Sequence, residues 1–369
     1  RLTSLNQELV LAEHAFVQIK KVCSYIRAAE PQPARMHHSS TALSLLLLLL
    51  HAIDATEASA VVEDFRKNGF VIVQNFASAA EVAAMKAAMR EKTDAYWAER
   101  SDPTVFRTDA GQEAAQARSR KFFESADRVE FFEEADGEAL NKAGHALHLG
   151  DDAFGTYATS KKVRALLRDL GYERPVLPQS MYIFKAPLHG GAVTSHQDAT
   201  FLRTDPDQTV VGLWLALDDA TPENGCVWAR AGSHREPLRR VFVRDRDRGE
   251  ANATMVFVRT PPGRFYFTER LGGPSANARA IVEAPWEGAD MTPEDAREHG
   301  FAPLPARAGD LVLIAGTLDH LSFPNTSPRQ RHTFQLHVIE SAGTAWHAAN
   351  WLQTDRVGGF LPLGVEESG

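Results

Sequence analysis

Apolar residues recur along this chain in two rhythms, and the change between them falls near Pro175. Before that point helical spacing dominates. Thr56 opens a helix to about Lys67, which Asn68-Gly69 ends. Phe70-Val71-Ile72-Val73 follows as a short apolar strand. Ser78 caps an Ala-rich helix through about Glu99, and Val82, Met85 and Met89 place one face of it on a core. Ser101 to Arg120 shows no period and reads as a surface loop. Ser160 to Leu170 reads as a further helix, closed by Gly171.

Beyond Pro175 short β-rich runs alternate with Pro, Gly, Asn and Asp. They are Met181–Phe184, Val210–Leu217, Cys226–Ala229, Thr254–Val258, Leu311–Ile314 and His332–Ile339. Many short strands with this punctuation predict a sandwich or barrel. No helix-length crossovers separate them, which argues against a parallel α/β sheet. The expected fold is α+β, mainly β: a jelly-roll core with N-terminal helices packed on it. One domain would span residues 56–355, with a prefix at 1–55 and a tail at 356–369.

Composition narrows the partners. The 369 residues carry 40 basic and 48 acidic side chains, a formal charge of −8, which gives no reason to expect nucleic acid or an anionic membrane. The basic runs Arg239-Arg240 and Arg244 to Arg248 alternate with acids and read as a solvated loop. Two cysteines, Cys23 and Cys226, cannot build a disulfide framework or a Cys-rich zinc site, and Cys226 reads as a small buried apolar residue. Met36 opens a signal-like segment (36–55) with six consecutive leucines, too short to span a bilayer. It reads either as a secretory or organellar targeting segment or as a terminus with no targeting role. Sequons stand at Asn252 and Asn325 and matter only on a secretory route.

Two separated motifs carry candidate chemistry. In Ser195-His196-Gln197-Asp198, a strand would point His196 and Asp198 to one face. An imidazole and a carboxylate suit Fe(II), and a second His would complete a facial triad with open positions. Alone, His-x-Asp is a weak signal. The second motif is the apolar run from Asp310 through Gly316, which ends in a turn and delivers His320. Eleven residues on, Arg331 opens a strand on which Arg331, Thr333, Gln335 and His337 share one face. A polar face inside a barrel calls for a polar ligand, and a guanidinium grips a carboxylate through two parallel hydrogen bonds. Taken alone, Arg331 reads as an exposed salt-bridge residue; beside both halves of the triad it reads as a carboxylate anchor.

With these motifs the chain resembles the phytanoyl-CoA dioxygenase family, and within it the domain-containing protein 1 type. The resemblance runs from about Val61 to Trp351. It rests on Asp64 to Phe70, Asn141 to His148, Gln179 to Lys185, Ser195 to Ala199, Glu223 to Cys226, Gly232-Ser233-His234, and Glu340-Ser341-Ala342-Gly343-Thr344 through Gln353. It implies a double-stranded β-helix (cupin-like) fold working with Fe(II), 2-oxoglutarate and O2, and with ascorbate as a reductant. His196, Asp198 and His320 would be the iron ligands. Arg331 and Ser322 would bind the distal carboxylate of 2-oxoglutarate. Lys142, Met181 and Trp214 would line the co-substrate pocket, with Gln197 beside it. Each of the last group keeps a plain alternative: Trp214 and Met181 as core packing, Lys142 as a surface lysine. His145, His148, His234 and His337 read as core or turn histidines, because the triad is complete without them. Ala231 departs from the proline usual before Gly-Ser-His in the family.

The implied reaction is hydroxylation of a small organic or lipid-like substrate with release of succinate and CO2. The retained carboxylate of Asp198 favours hydroxylation over halogenation. The stretch Arg235 to Arg307 looks longer than in close relatives, and a segment of that length could cover the pocket mouth. Two rivals stand beside this expectation. One is a regulatory protein that binds metal and 2-oxoglutarate without turnover. The other is a cupin-type hydrolase or isomerase, against which Arg331 argues because such enzymes need no dicarboxylate anchor.

Overall fold

The computed structural model describes residues 56, 58–106, 119–245, 254–261, 264–274 and 284–365. The chain divides into two units, Arg1–Thr56 and Glu57–Gly369, and all the strands named below belong to the second. The signal-like segment, Cys23 and the sequon at Asn252 lie outside the described residues, as does most of the loop read between Ser101 and Arg120.

Two antiparallel sheets form the frame. The larger has eight strands. In spatial order it runs Phe70–Val73, Leu311–Ala315, Val211–Ala216, Thr333–Glu340, Pro175–Ile183, Leu140–His145 and Val129–Glu133, with Leu361–Pro362 added beside Pro175–Ile183. The smaller runs Phe301–Leu304, Val227–Arg230, His320–Ser322 and Val193–His196. Neighbouring strands in space are mostly far apart in sequence, as in jelly-roll arrangements. The short pair Leu361–Pro362 brings the segment read as a tail onto the large sheet.

Alternation along the strands sets the layers. On Thr333–Glu340, Phe334, Leu336 and Val338 are buried on one face. Phe334 meets Phe154 and Tyr157 at ring separations of 4.9 and 5.9 Å, so the helix Ala153–Ala158 covers that side. Helix Ala79–Glu99 begins as expected. Ser78 accepts from the Glu81 amide and Glu81 accepts from the Ser78 amide, a reciprocal cap that satisfies two orphan donors. Val82, Met85 and Met89 are its buried positions. Helix Lys161–Leu170 ends at Gly171, whose φ of 102° suits a residue without Cβ.

The differences from the sequence reading have local causes. Val129–Glu133 and Leu140–His145 form strands although Asn141-Lys142-Ala143-Gly144 lacks β-branched residues; pairing with Pro175–Ile183 supplies the order that propensity does not. Arg239 is not on a solvated loop. It is buried and paired with Asp319, Glu236 and Glu287. Arg244 donates to the carbonyls of Trp351 and Phe123. Among the described residues no helix is long and apolar enough to cross a membrane.

Candidate metal centre and its cavity

His196 ends the strand Val193–His196, and His320 begins the strand His320–Ser322 that pairs with it. The register sets the two residues directly opposite, with ring centroids 4.2 Å apart. Asp198 lies off the strand, at the start of a single 3-10 turn Asp198–Thr200. That turn, rather than a continued strand, swings the carboxylate under the two rings. Asp198 Oδ1 is 3.5 Å from His196 Nε2 and 3.6 Å from His320 Nε2. One ligand atom from each of the three lies within 4.8 Å of the others.

The donor set fits a divalent ion of the iron type. Each imidazole has its Nδ1 against a nearby carbonyl, His196 on Thr194 O at 2.8 Å and His320 on Leu318 O at 3.1 Å. A proton on Nδ1 leaves the Nε2 lone pair of both rings free toward Asp198. Burial pushes His320 down to about 4, so its ring is neutral at pH 7. Burial opposes ionisation of Asp198, but the neighbouring rings of His320, His337 and His196 hold its carboxyl well below the usual range. Two imidazole nitrogens and one carboxylate make a facial set with open positions.

The triad opens into a cavity of ≈ 180 Å³ between the two sheets. One row of its wall crosses three strands: Met181, Gln335 and Trp214 are direct register partners and all line it. The next row, Gln179, His337 and Gly212, lies nearer Asp198. Arg331, Ser322 and Lys185 form one cationic end. Arg331 is buried, donates to Gly225 O at 2.5 Å, and leaves its Nε without a partner. Burial pushes its guanidinium down to about 10. Its charge stands 5.4 Å from the Trp214 ring.

The family profile described as Phytanoyl-CoA dioxygenase (PhyH) matches residues 65–333. The chain belongs to the phytanoyl-CoA dioxygenase family. "Phytanoyl-CoA dioxygenase 1" of Oryza sativa subsp. japonica is 38% identical over 301 residues, covering 78% of this chain and 91% of the relative. "Phytanoyl-CoA dioxygenase domain-containing protein 1" of Mus musculus is 36% identical over 320 residues, covering 82% and 97%. Among solved structures, the epimerase SnoN in complex with Fe3+, alpha ketoglutarate and nogalamycin RO matches with TM-score 0.51 at 18% identity, over 85% of this chain and 97% of that one. EctD from S. alaskensis with bound Fe matches with TM-score 0.50 at 17% identity, over 83% and 85%. At such identities the likeness is one of fold.

Within this phytanoyl-CoA dioxygenase family member, eight of the nine residues singled out in the sequence line one cavity: His196, Asp198, His320, Lys142, Met181, Trp214, Ser322 and Arg331. Lys142 is not on the surface. Its Nζ lies 3.1 Å from the Phe106 ring centroid, and burial pushes the ammonium well below its ordinary value. Gln197 stands apart. Extended backbone between His196 and Asp198 turns it to the other side, where its amide donates to Thr317 O at 2.8 Å and accepts from Arg239 N at 3.3 Å.

Two cavity residues carry more than their sequence context suggests. His337 touches Asp198, and its place on the polar face with Arg331 and Gln335 was the available signal. Lys185 stands two residues past the strand Pro175–Ile183, at the end of the Gln179 to Lys185 run that carries the family resemblance, and nothing in the sequence marks it as a cavity residue. His145 also lines the cavity, with Nδ1 on Ser125 Oγ at 2.7 Å, while His148 and His234 are bound in the structural interior to Ser180 and to the carbonyls of Arg66 and Gly272. Asn325 is buried, its amide donating to Lys185 O and Arg329 O, so the side chain of that sequon is occupied in the folded chain. From the long stretch Arg235 to Arg307, Arg240 reaches the cavity wall.

Proposed function

We propose that the chain is a non-haem Fe(II)- and 2-oxoglutarate-dependent dioxygenase built on a double-stranded β-helix, hydroxylating a small organic or lipid-like substrate with release of succinate and CO2. The single observation that carries this reading is one cavity holding both the His196/Asp198/His320 set and a buried Arg331. Among the described residues no carboxylate pairs with that guanidinium. A buried unpaired cation is costly, and a dicarboxylate ligand relieves it.

His196, Asp198 and His320 would hold the iron, which supplies O2 activation when bound. Arg331 and Ser322 orient the co-substrate by its distal carboxylate. Met181, Trp214 and Lys142 wall the space between that anchor and the metal, and exclude water from it. Gln197 acts differently from a co-substrate contact: it ties the His196 strand to the turn before His320 and keeps the two imidazoles in register. The aromatic residues Phe106, Phe122, Phe201 and Trp351 on the cavity wall suit a substrate with an apolar body.

Untargeted metabolite profiling of cells expressing the active chain against Asp198→Ala tests the hydroxylation. A metabolite gaining one oxygen only with the active chain is expected. Stabilisation by 2-oxoglutarate with no oxygenated product and no succinate across a broad substrate panel would instead favour the regulatory rival.

A further inference from the structure

The basic end of the cavity contains a second buried basic side chain beside Arg331. Lys185 is 3% exposed and donates from Nζ to Ser322 Oγ and to Gly191 O, both at 2.8 Å. An ammonium has three donors, so one is left for a ligand. The Arg331 amide donates to Lys185 O at 3.3 Å, which keeps the two residues side by side. Both line the cavity, as does Ser322.

The surrounding chain is shaped for this lysine. A Cβ at Gly225 would collide with Lys185 Cε, and a Cβ at Gly190 would lie 2.6 Å from Lys185 Cγ. Gly225 also has φ +83°, a conformation open to glycine, and its carbonyl accepts from Arg331. Lys185 itself has φ 36°, in the left-handed region that L-residues seldom adopt. Strain of this kind persists where the surroundings over-determine it, and it concentrates at ligand clamps. Glu134 is the acid whose charge acts on Lys185, but its Oε1 already accepts from Asn141 and from the Gly191 amide. Burial and the Arg331 charge both weigh against the ammonium.

We infer that Lys185 and Arg331 together clamp the distal carboxylate of the co-substrate, so that Lys185 is a specificity residue selecting a 2-oxo acid with a second carboxylate. The inference rests on the proposed use of 2-oxoglutarate. A carboxylate has two oxygens, and two neighbouring basic groups can each take one. A 2-oxo acid without that second carboxylate would leave both basic groups buried with no anionic partner, which disfavours its binding.

Calorimetric titration of Mn(II)-loaded protein with 2-oxoglutarate and with 2-oxovalerate tests it without turnover. The second acid has the same length and keto acid head but ends in a methyl group. Lys185→Met should weaken 2-oxoglutarate binding on the order of 10- to 100-fold. Its effect on 2-oxovalerate should stay within about twofold, since that ligand makes no charged contact there. Equal weakening of both acids, or of neither, would overturn the inference and leave Lys185 a structural residue. A wild-type chain that binds neither acid would overturn the proposed function itself, a failure visible before any variant is made. If Lys185→Met gives no folded protein, Lys185→Gln keeps an N–H donor on a stem one bond shorter, without the positive charge, and should show the same selective loss. If that also fails, proton uptake on binding to wild type decides. Greater uptake with 2-oxoglutarate than with 2-oxovalerate supports the clamp, and equal uptake overturns it.

Discussion

His337 Nε2 lies 3.3 Å from Asp198 Oδ2, the carboxylate oxygen turned away from the His196 and His320 rings. Gln179 Nε2 stands 3.0 Å from His337 Nδ1 and fixes which nitrogen carries the proton. Nε2–H then donates to Oδ2 and holds the carboxylate at one angle. Outer-shell donors of this type are worth 10- to 100-fold in metal affinity. His337→Leu should weaken Mn(II) or Co(II) binding by about that factor, read by direct titration, with little loss of melting temperature. Unchanged affinity would show that Asp198 needs no such support.

The buried network behind the metal turn gives a stability prediction. Asp319, fully buried, accepts from Arg239, from Arg230 at 2.7 Å and from Trp286 Nε1 at 3.2 Å. It thereby fastens the segment around Trp286 to the residue preceding His320. Removing one partner of a buried pair strands the other charge, at a cost of about 3–5 kcal/mol. Asp319→Ala should lower the melting temperature by roughly 10 °C, and Asp319→Asn by less, because it keeps an acceptor for the indole. A calorimetric scan of the three proteins checks the order. An Asp319→Ala melting temperature equal to wild type would contradict it.

How much of this was legible in the sequence depended on whether the signal was local. The strands Leu311–Ala315 and Thr333–Glu340 announce themselves through apolar runs and alternation; His320 follows the first and Arg331 immediately precedes the second. For His337 the polar strand face was legible but its contact with Asp198 was not, because that depends on which residue faces it across the sheet. One of its two register partners is Gly212, and a Cβ there would sit 3.2 Å from Asp198 Oδ2. The absence of that Cβ is what lets the carboxylate approach. Along the sequence Lys185 is only a residue just past the strand Pro175–Ile183. Its burial follows from glycines at 190 and 225, and the second of these is forty residues away. Gln197 sits between two candidate ligands, and only the backbone shows that it turns to the opposite side.

Acid should destabilise the fold through its buried imidazoles. Burial pushes both His148 and His234 down to about 4, against about 6.5 in the unfolded chain. Below pH 6.5 the unfolded chain therefore binds more protons than the native one, and stability falls with falling pH. Full stability from these groups is present above about pH 6.5 and is lost as pH drops through 4. Near pH 5, unfolding should take up roughly two protons at these sites. The slope of unfolding free energy against pH, from denaturant titrations between pH 4 and 7, measures this directly. A flat profile across that range would mean the rings are not held neutral.

The most direct test of the central claim is succinate formation from 2-oxoglutarate by protein reconstituted anaerobically with Fe(II) and then exposed to O2 with ascorbate. Wild type should bind one iron and release succinate, at least in slow uncoupled turnover. Asp198→Ala and His196→Ala should each reduce succinate to background, and Arg331→Ala should chiefly raise the 2-oxoglutarate concentration required. Undiminished succinate from Asp198→Ala would contradict the assignment of the metal centre.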